Sequence, residues 1–217
     1  MGTEELKRGR FITIEGGEGA GKSTKAGLLV AALAKAGIPA LRTREPGGAS
    51  GAEEIRKLLV EGEPGRWDAV SEALLMVAAR RSHVTQTILP ALERSEWVVC
   101  DRFVDSTTAY QGYGGGVPLA DLTQLHRLIA GGLMPDLTFM LDVPVAKGLT
   151  RAADRSGSET RFERMDQAFH ERLRQGFLEI ARAAPKRCVV IDAAGDVDAV
   201  QGAMRAALGA RLGIALG

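Results

Sequence analysis

Eight residues, Gly16-Gly17-Glu18-Gly19-Ala20-Gly21-Lys22-Ser23, carry the spacing G-x-x-x-x-G-K-S. That spacing suits a loop that cradles phosphate oxygens. Glycines let the backbone curl until successive N–H groups point at one anion. Lys22 adds a mobile charge for the outer phosphates, and the Ser23 hydroxyl is a hard ligand for Mg²⁺. A second constellation is Asp101-Arg102, directly after the apolar run Trp97-Val98-Val99-Cys100. An aspartate closing such a run can hold Mg²⁺ or its water shell. The arginine beside it sets a planar fork for phosphate at the same place.

These residues need elements to position them. Phe11-Ile12-Thr13-Ile14 reads as a buried strand entering the glycine loop. The stretch from Lys22 to Lys35 reads as a helix leaving it, with Leu28, Leu29 and Leu33 apolar and Gly37-Ile38-Pro39 as the stop. Further strand-like runs are Ala40–Thr43, Trp97–Cys100, Leu137–Leu141 and Cys188–Ile191. Their alternation with helical stretches predicts an α/β fold, a five-stranded parallel sheet with helices on both faces. Ligands of such sheets gather at the carboxyl ends of the strands.

The residues at the carboxyl end of each run are therefore informative. Arg44-Glu45-Pro46-Gly47-Gly48 reads as a turn in which the Glu45–Pro46 bond is either cis or trans. The short helix after it carries Arg56, which the sequence alone does not single out. A helical pattern runs from Asp68 to about Glu93. One stripe holds Ala73, Met76, Val77, Arg80, Val84, Thr87 and Ile88, and a second apolar row holds Leu74, Leu75 and Ala78. Two apolar faces predict two neighbours, the core and either a pocket or another subunit. Arg80 within the first stripe is either paired and buried or snorkelled to water. Ser106 to Gln111 is polar and aromatic and leads into a glycine loop. A helix reaches Arg151, and Arg155, Arg161 and Arg164 surround small polar residues. Such a segment, about 153–166, fits either a closing lid or a solvated loop. A last helix is expected to run to about Gly209.

Composition narrows the class. The chain has 217 residues, 45% hydrophobic and 25% charged, which makes one domain the default. A net charge of +1 gives no reason to expect a nucleic-acid partner. The polar N-terminal stretch and the absence of a long apolar run predict a cytoplasmic protein without a membrane partner. Cys100 and Cys188 read as reduced strand residues, and His83, His126 and His170 share no ligand spacing.

The ordered set of motifs resembles the bacterial thymidylate kinase family over roughly residues 10 to 205. It comprises the P-loop, Thr43-Arg44-Glu45-Pro46-Gly47-Gly48, Ala78-Ala79-Arg80, Asp101-Arg102, Ala109-Tyr110-Gln111-Gly112, Pro135-Asp136-Leu137-Thr138 and Leu141-Asp142-Val143. The resemblance implies a P-loop kinase fold, a homodimer, and transfer of the ATP γ-phosphoryl group to dTMP on the way to dTTP. It places ATP at Gly16, Gly17, Glu18, Gly19, Ala20, Gly21, Lys22, Ser23, Thr24 and Arg151, with Mg²⁺ at Ser23 and Asp101. Arg56 and Arg102 would hold the dTMP phosphate. Arg80, Thr107 and Gln111 would read thymine, Tyr110 would crowd a ribose 2′-hydroxyl, and Glu18 and Glu45 would lie near the acceptor. The family supplies its transition-state arginine from the P-loop or from the lid. Gly19-Ala20 carry none here, so the resemblance implies Arg155, with Arg161 in reserve. Met76 stands where the family usually stacks an aromatic ring on the base.

The implied chemistry asks little of the protein. A phosphate monoester with a second pKa of ~6 is mostly deprotonated at neutral pH, so no general base is needed. Positioning and charge stabilisation by Lys22, Mg²⁺ and the arginines carry the rate. Two rivals are another small-molecule kinase on this scaffold and a nucleotide-driven switch. A GTPase of the common type reads its base with Asn-Lys-x-Asp, and the chain contains no Asn.

Overall fold

Residues 8–154 and 161–216 are described by the computed structural model. Among them, β1 (Phe11–Gly16), β2 (Ala40–Arg44), β3 (Trp97–Asp101), β4 (Leu137–Asp142) and β5 (Cys188–Asp192) form one parallel sheet in the order β2-β3-β1-β4-β5. Each strand runs one or two residues past its apolar run. Asp101, Asp142 and Asp192 therefore close strands and do not open loops. The pairing sets Ile14 beside both Asp101 and Phe139, so the P-loop leaves β1 next to the end of β3.

Period-two alternation splits the apolar strand residues between two helical layers. Ile12, Ile14, Val99, Phe139 and Leu141 pack with Leu29 and Leu33 of α1 (Lys22–Lys35) and Met204 and Leu208 of α9 (Val197–Leu212). Phe11, Val98 and Cys100 face the other way, onto Val84, Ile88 and Leu92. Met140 packs with Phe169, Leu173 and Phe177 of α8 (Gln167–Ala183). Burying each such side chain contributes about 1.5–3 kcal/mol. Within α1 the apolar stripe is narrower than expected, because Leu28 points outward.

The helical stretch after Asp68 is continuous but not uniform. It runs as α3 (Ala69–His83), a π-helical turn at Val84–Ile88, and α4 (Leu89–Glu93). Pro90 supplies the reason. In a regular helix its ring would meet the carbonyl of Gln86 and leave that group unbonded, and a wider turn relieves both. The closing helix α9 extends to Leu212. The remaining helices are α2 (Ser50–Val60), α5 (Val104–Thr107), α6 (Leu119–Ala130) and α7 (Val145–Ala153). Carboxylates cap three helices, with Asp68 accepting from Val70 and Ser71 N–H, Asp166 from Phe169 N–H and Asp196 from Ala199 N–H. No side chain caps α1. Both cysteines are free and buried.

Candidate active site

The P-loop leaves β1 at Gly16 (φ 138°) and enters α1 through Gly21 (φ 75°). L side chains rarely adopt either conformation. A Cβ at Gly19 would lie 1.9 Å from the Gly148 carbonyl oxygen in α7, so the loop is pressed flat against its neighbour. The uncapped start of α1 leaves first-turn N–H groups and the positive end of the helix for an anion. Lys22 Nζ donates to the Gly17 carbonyl at 2.8 Å, which holds the ammonium across the loop mouth. Burial pulls its pKa from 10.5 to about 8, and the charge of Arg102 pushes the same way. The Ser23 hydroxyl donates to Asp101 Oδ2.

Arg102 sits at the centre with φ 70°, an uncommon conformation for a side-chain-bearing residue. The turn is fixed from behind. Arg102 N–H donates to the Ile14 carbonyl at 3.0 Å, and Glu15 accepts from Phe103 N–H at 2.7 Å and from Ser106 Oγ at 2.6 Å. Full burial and the nearby Asp105 charge push Glu15 up to about 7. The Arg102 guanidinium donates to Gly16 O at 3.1 Å and to Glu18 Oε1 at 3.0 Å, and lies 4.9 Å from the Tyr110 ring centroid. The Tyr110 hydroxyl donates to the same Glu18 oxygen. Glu18, Arg102 and Tyr110 thus form one cluster, although up to 92 residues separate its members.

A second cluster is organised on Glu45. Arg80 is 2% exposed, so the snorkelled alternative does not occur. Its Nε donates to Glu45 Oε2 at 2.7 Å, and its Nη2 donates to Thr107 Oγ1 at 2.9 Å and to the Phe103 carbonyl at 3.0 Å. Arg80 Nη1 is buried without a partner among the described residues. His83 Nδ1 lies 2.9 Å from Glu45 Oε1, and its Nε2 lies 2.7 Å from Thr43 Oγ1. Burial would raise the Glu45 carboxyl, but Arg80 and His83 outweigh it and hold the group below the usual range. Spacing does not distinguish His83 in the sequence. Only the return of α3 past the Glu45–Pro46 turn, whose peptide bond is cis, brings it to Glu45.

These clusters face one cleft of about 680 Å³. Residues 18–25, from the P-loop into the start of α1, line it together with Glu45, Arg56, Met76, Arg80, Asp101, Arg102, Thr107, Tyr110 and Arg151. Arg56 is held by an Nη1 bond to the Pro46 carbonyl at 2.7 Å. Arg151 is anchored at the far end by bonds to the carbonyls of Ala193 at 2.8 Å and Ala194 at 2.9 Å. Gln111 does not line the cleft. Its amide donates to Glu72 Oε1 at 2.6 Å, and Glu72 also binds the Arg161 guanidinium. Arg161 is 2% exposed, donates to the Leu59 carbonyl at 3.2 Å and stacks on Phe162. Arg164 pairs with Glu63 at the surface. Arg155 lies outside the described residues.

A family model for thymidylate kinase matches residues 14–204. A thymidylate kinase of Caulobacter vibrioides is 52% identical over 209 residues, covering 96% of this chain and all of the relative. One from Rhodopseudomonas palustris is 54% identical over 198 residues, covering 89% of this chain and 85% of its own. The crystal structure of thymidylate kinase from Ehrlichia chaffeensis superposes with a TM-score of 0.74 at 34% identity, over 92% of this chain and 99% of that one. Sheet order, P-loop and motif series therefore coincide with whole-length likeness, and the chain belongs to the thymidylate kinase family.

Proposed function

We propose that γ-phosphoryl transfer from ATP to dTMP, the reaction of a thymidylate kinase, takes place in the cleft between the P-loop and the Glu45–Arg80 pair. One observation carries this reading. Lys22 and the open start of α1 line the same cleft as Arg56 and Arg102, with the Arg102 guanidinium bonded to the P-loop at Gly16 and Glu18. Two phosphate-binding sets in one cavity suit a donor and an acceptor phosphate brought into line. Arg102 and Arg56 hold the acceptor phosphate. Arg80, kept in place by Glu45 and Thr107, presents its guanidinium to the base, and Met76 packs on the ring face. Gln111 acts one step back, through Glu72. Arg151 borders the adenine end, where its backbone anchors hold it.

Ser23 and Asp101 offer hard oxygen ligands beside the P-loop, and this donor set fits Mg²⁺, which retains waters and binds through one carboxylate plus phosphates. When bound, the ion neutralises charge on the donor phosphates. A coupled ADP assay across dTMP, dUMP, UMP, CMP, AMP and GMP tests the assignment. Turnover is expected with dTMP well above the others, and equal rates across the pyrimidines would refute base reading by Arg80.

Tyr110 fits a sugar gate, with its ring packed edge-on against Phe162 at 5.3 Å and its hydroxyl on Glu18. Tyr110→Ala is expected to improve the kcat/KM ratio of ribo-TMP over dTMP by about tenfold, a difference of about 1.4 kcal/mol. An unchanged ratio removes Tyr110 from that role.

The chain is one P-loop kinase domain acting as a homodimer in the cytoplasm. Val70, 55% exposed, and Leu74, 50% exposed, continue to the exposed Ala78 as an apolar row along α3. Such a row is costly on a free surface. Light scattering at micromolar concentration is expected to give twice the 23.0 kDa chain mass. Val70→Glu combined with Leu74→Glu is expected to return the single-chain value. No helix among the described residues is long and apolar enough to cross a membrane.

A further inference from the structure

One charged group facing the cleft has no part in holding the acceptor or the base. Lys25 belongs to the first turn of α1, lines the cleft and is 4% exposed. Its ammonium has no hydrogen-bond or ion-pair partner among the described residues. A Cβ on Gly21 would lie 2.8 Å from Lys25 Nζ, so the ammonium rests against the P-loop at the mouth of α1. The chain holds Lys25 from behind, with Gln201 Nε2 donating to its carbonyl at 3.1 Å.

The surroundings are one-sided in charge. Burial and the nearby Arg151 both pull the Lys25 pKa down. An ammonium that is partly desolvated and faces a second cation is less favourable in the free protein than in water. An anion arriving beside it offsets that cost. The helix start favours an anion in the same place.

We propose that Lys25 is a second donor-side lysine, contacting a phosphate of the bound nucleotide on the Arg151 side of the P-loop. It differs from Lys22 in position and in consequence. Lys22 Nζ is held at the Gly17 carbonyl within reach of the Arg102 charge, whereas Lys25 Nζ stands beside Gly21 within reach of the Arg151 charge. A contact with a phosphate that is not transferred is present equally in the ground and transition states. It therefore acts on KM for ATP and leaves kcat nearly unchanged. The proposal rests on the P-loop being the donor subsite.

The test uses the full chain, with ADP, tripolyphosphate and adenosine as separate titrants in calorimetry. Lys25→Gln is expected to weaken ADP and tripolyphosphate about tenfold, the effect of one charge-assisted bond, and to leave adenosine and dTMP unchanged. Lys25→Arg is expected to retain most of the affinity. KM for ATP should rise by the same factor at nearly constant kcat. Equal weakening of adenosine would move the contact to the base and overturn the phosphate assignment. Unchanged ADP binding in Lys25→Gln would overturn the proposal outright. Lys22→Ala, titrated in parallel, separates the two failures. If it loses tripolyphosphate while Lys25→Gln does not, the donor subsite stands and Lys25 has no part in it. If neither variant loses tripolyphosphate, the subsite itself is misplaced. A thermal midpoint within a few degrees of the parent for Lys25→Arg shows that the fold is intact.

Discussion

Lys22→Ala is expected to lower kcat by about 10³-fold, because it removes the ammonium set against charge that develops during transfer. The fold should survive. Lys22 lies on the cleft wall, and its buried charge is a cost in the free protein, as its pKa of about 8 records. A folded lysine pKa below the unfolded value means that the unfolded chain binds the proton more tightly. This group therefore opposes folding below about pH 8, and its opposition fades as pH rises from 8 toward 10.5. Removing it should leave the thermal midpoint of the apo protein at neutral pH unchanged or raised. Near-parental turnover in a folded Lys22→Ala protein would defeat the P-loop assignment.

The same shift predicts a pH profile. The free enzyme must carry a proton on Lys22 to attract ATP, so kcat/KM for ATP should fall above about pH 8. Bound phosphates raise the lysine pKa again, and kcat should stay level to higher pH. Parallel alkaline losses in kcat and kcat/KM would assign the titration to another group.

Local features of this fold are legible in the sequence because their physics is local. The P-loop needs glycines, a lysine and a hydroxyl in one stretch, and the five apolar runs are five strands. Partnerships across the chain are not legible in the same way. Glu45 finds Arg80 and His83 over 35 and 38 residues, and Glu72 finds Arg161 over 89. The helical stripe puts Arg80 among apolar residues but cannot decide whether it is buried and paired. Glu15 escapes notice because the apolar run ends at Ile14, yet its carboxylate fixes the turn that presents Arg102. Gln111 illustrates the converse. The resemblance places it at the base, whereas its amide here is taken by Glu72.

Arg155 and Arg161 are separated most sharply by their expected failures. Arg161 is already engaged. It is buried, bonded to Glu72 and the Leu59 carbonyl, and stacked on Phe162 at 4.5 Å. Swinging it toward a transferring phosphate would leave Glu72 as a buried carboxylate with Gln111 as its remaining hydrogen-bond partner among the described residues. Arg161→Ala should therefore act on the fold, costing about 3–5 kcal/mol as expected for a broken buried pair. That loss should appear as a lower thermal midpoint. Arg155 carries the opposite expectation. With no arginine in Gly19-Ala20, charge between donor and acceptor needs a cation from elsewhere, and Arg155 comes just after α7, whose Arg151 borders the cleft. Arg155→Ala is expected to lower kcat by about 10²–10³-fold, with KM for dTMP and the thermal midpoint little changed. Measuring both properties on both variants decides the matter. If Arg161→Ala keeps its thermal midpoint and loses kcat while Arg155→Ala is near normal, the transition-state arginine is Arg161. The Glu72 pair would then have to open during the catalytic cycle. If neither variant loses kcat, the stabilising charge comes from Lys22 and Arg102 alone.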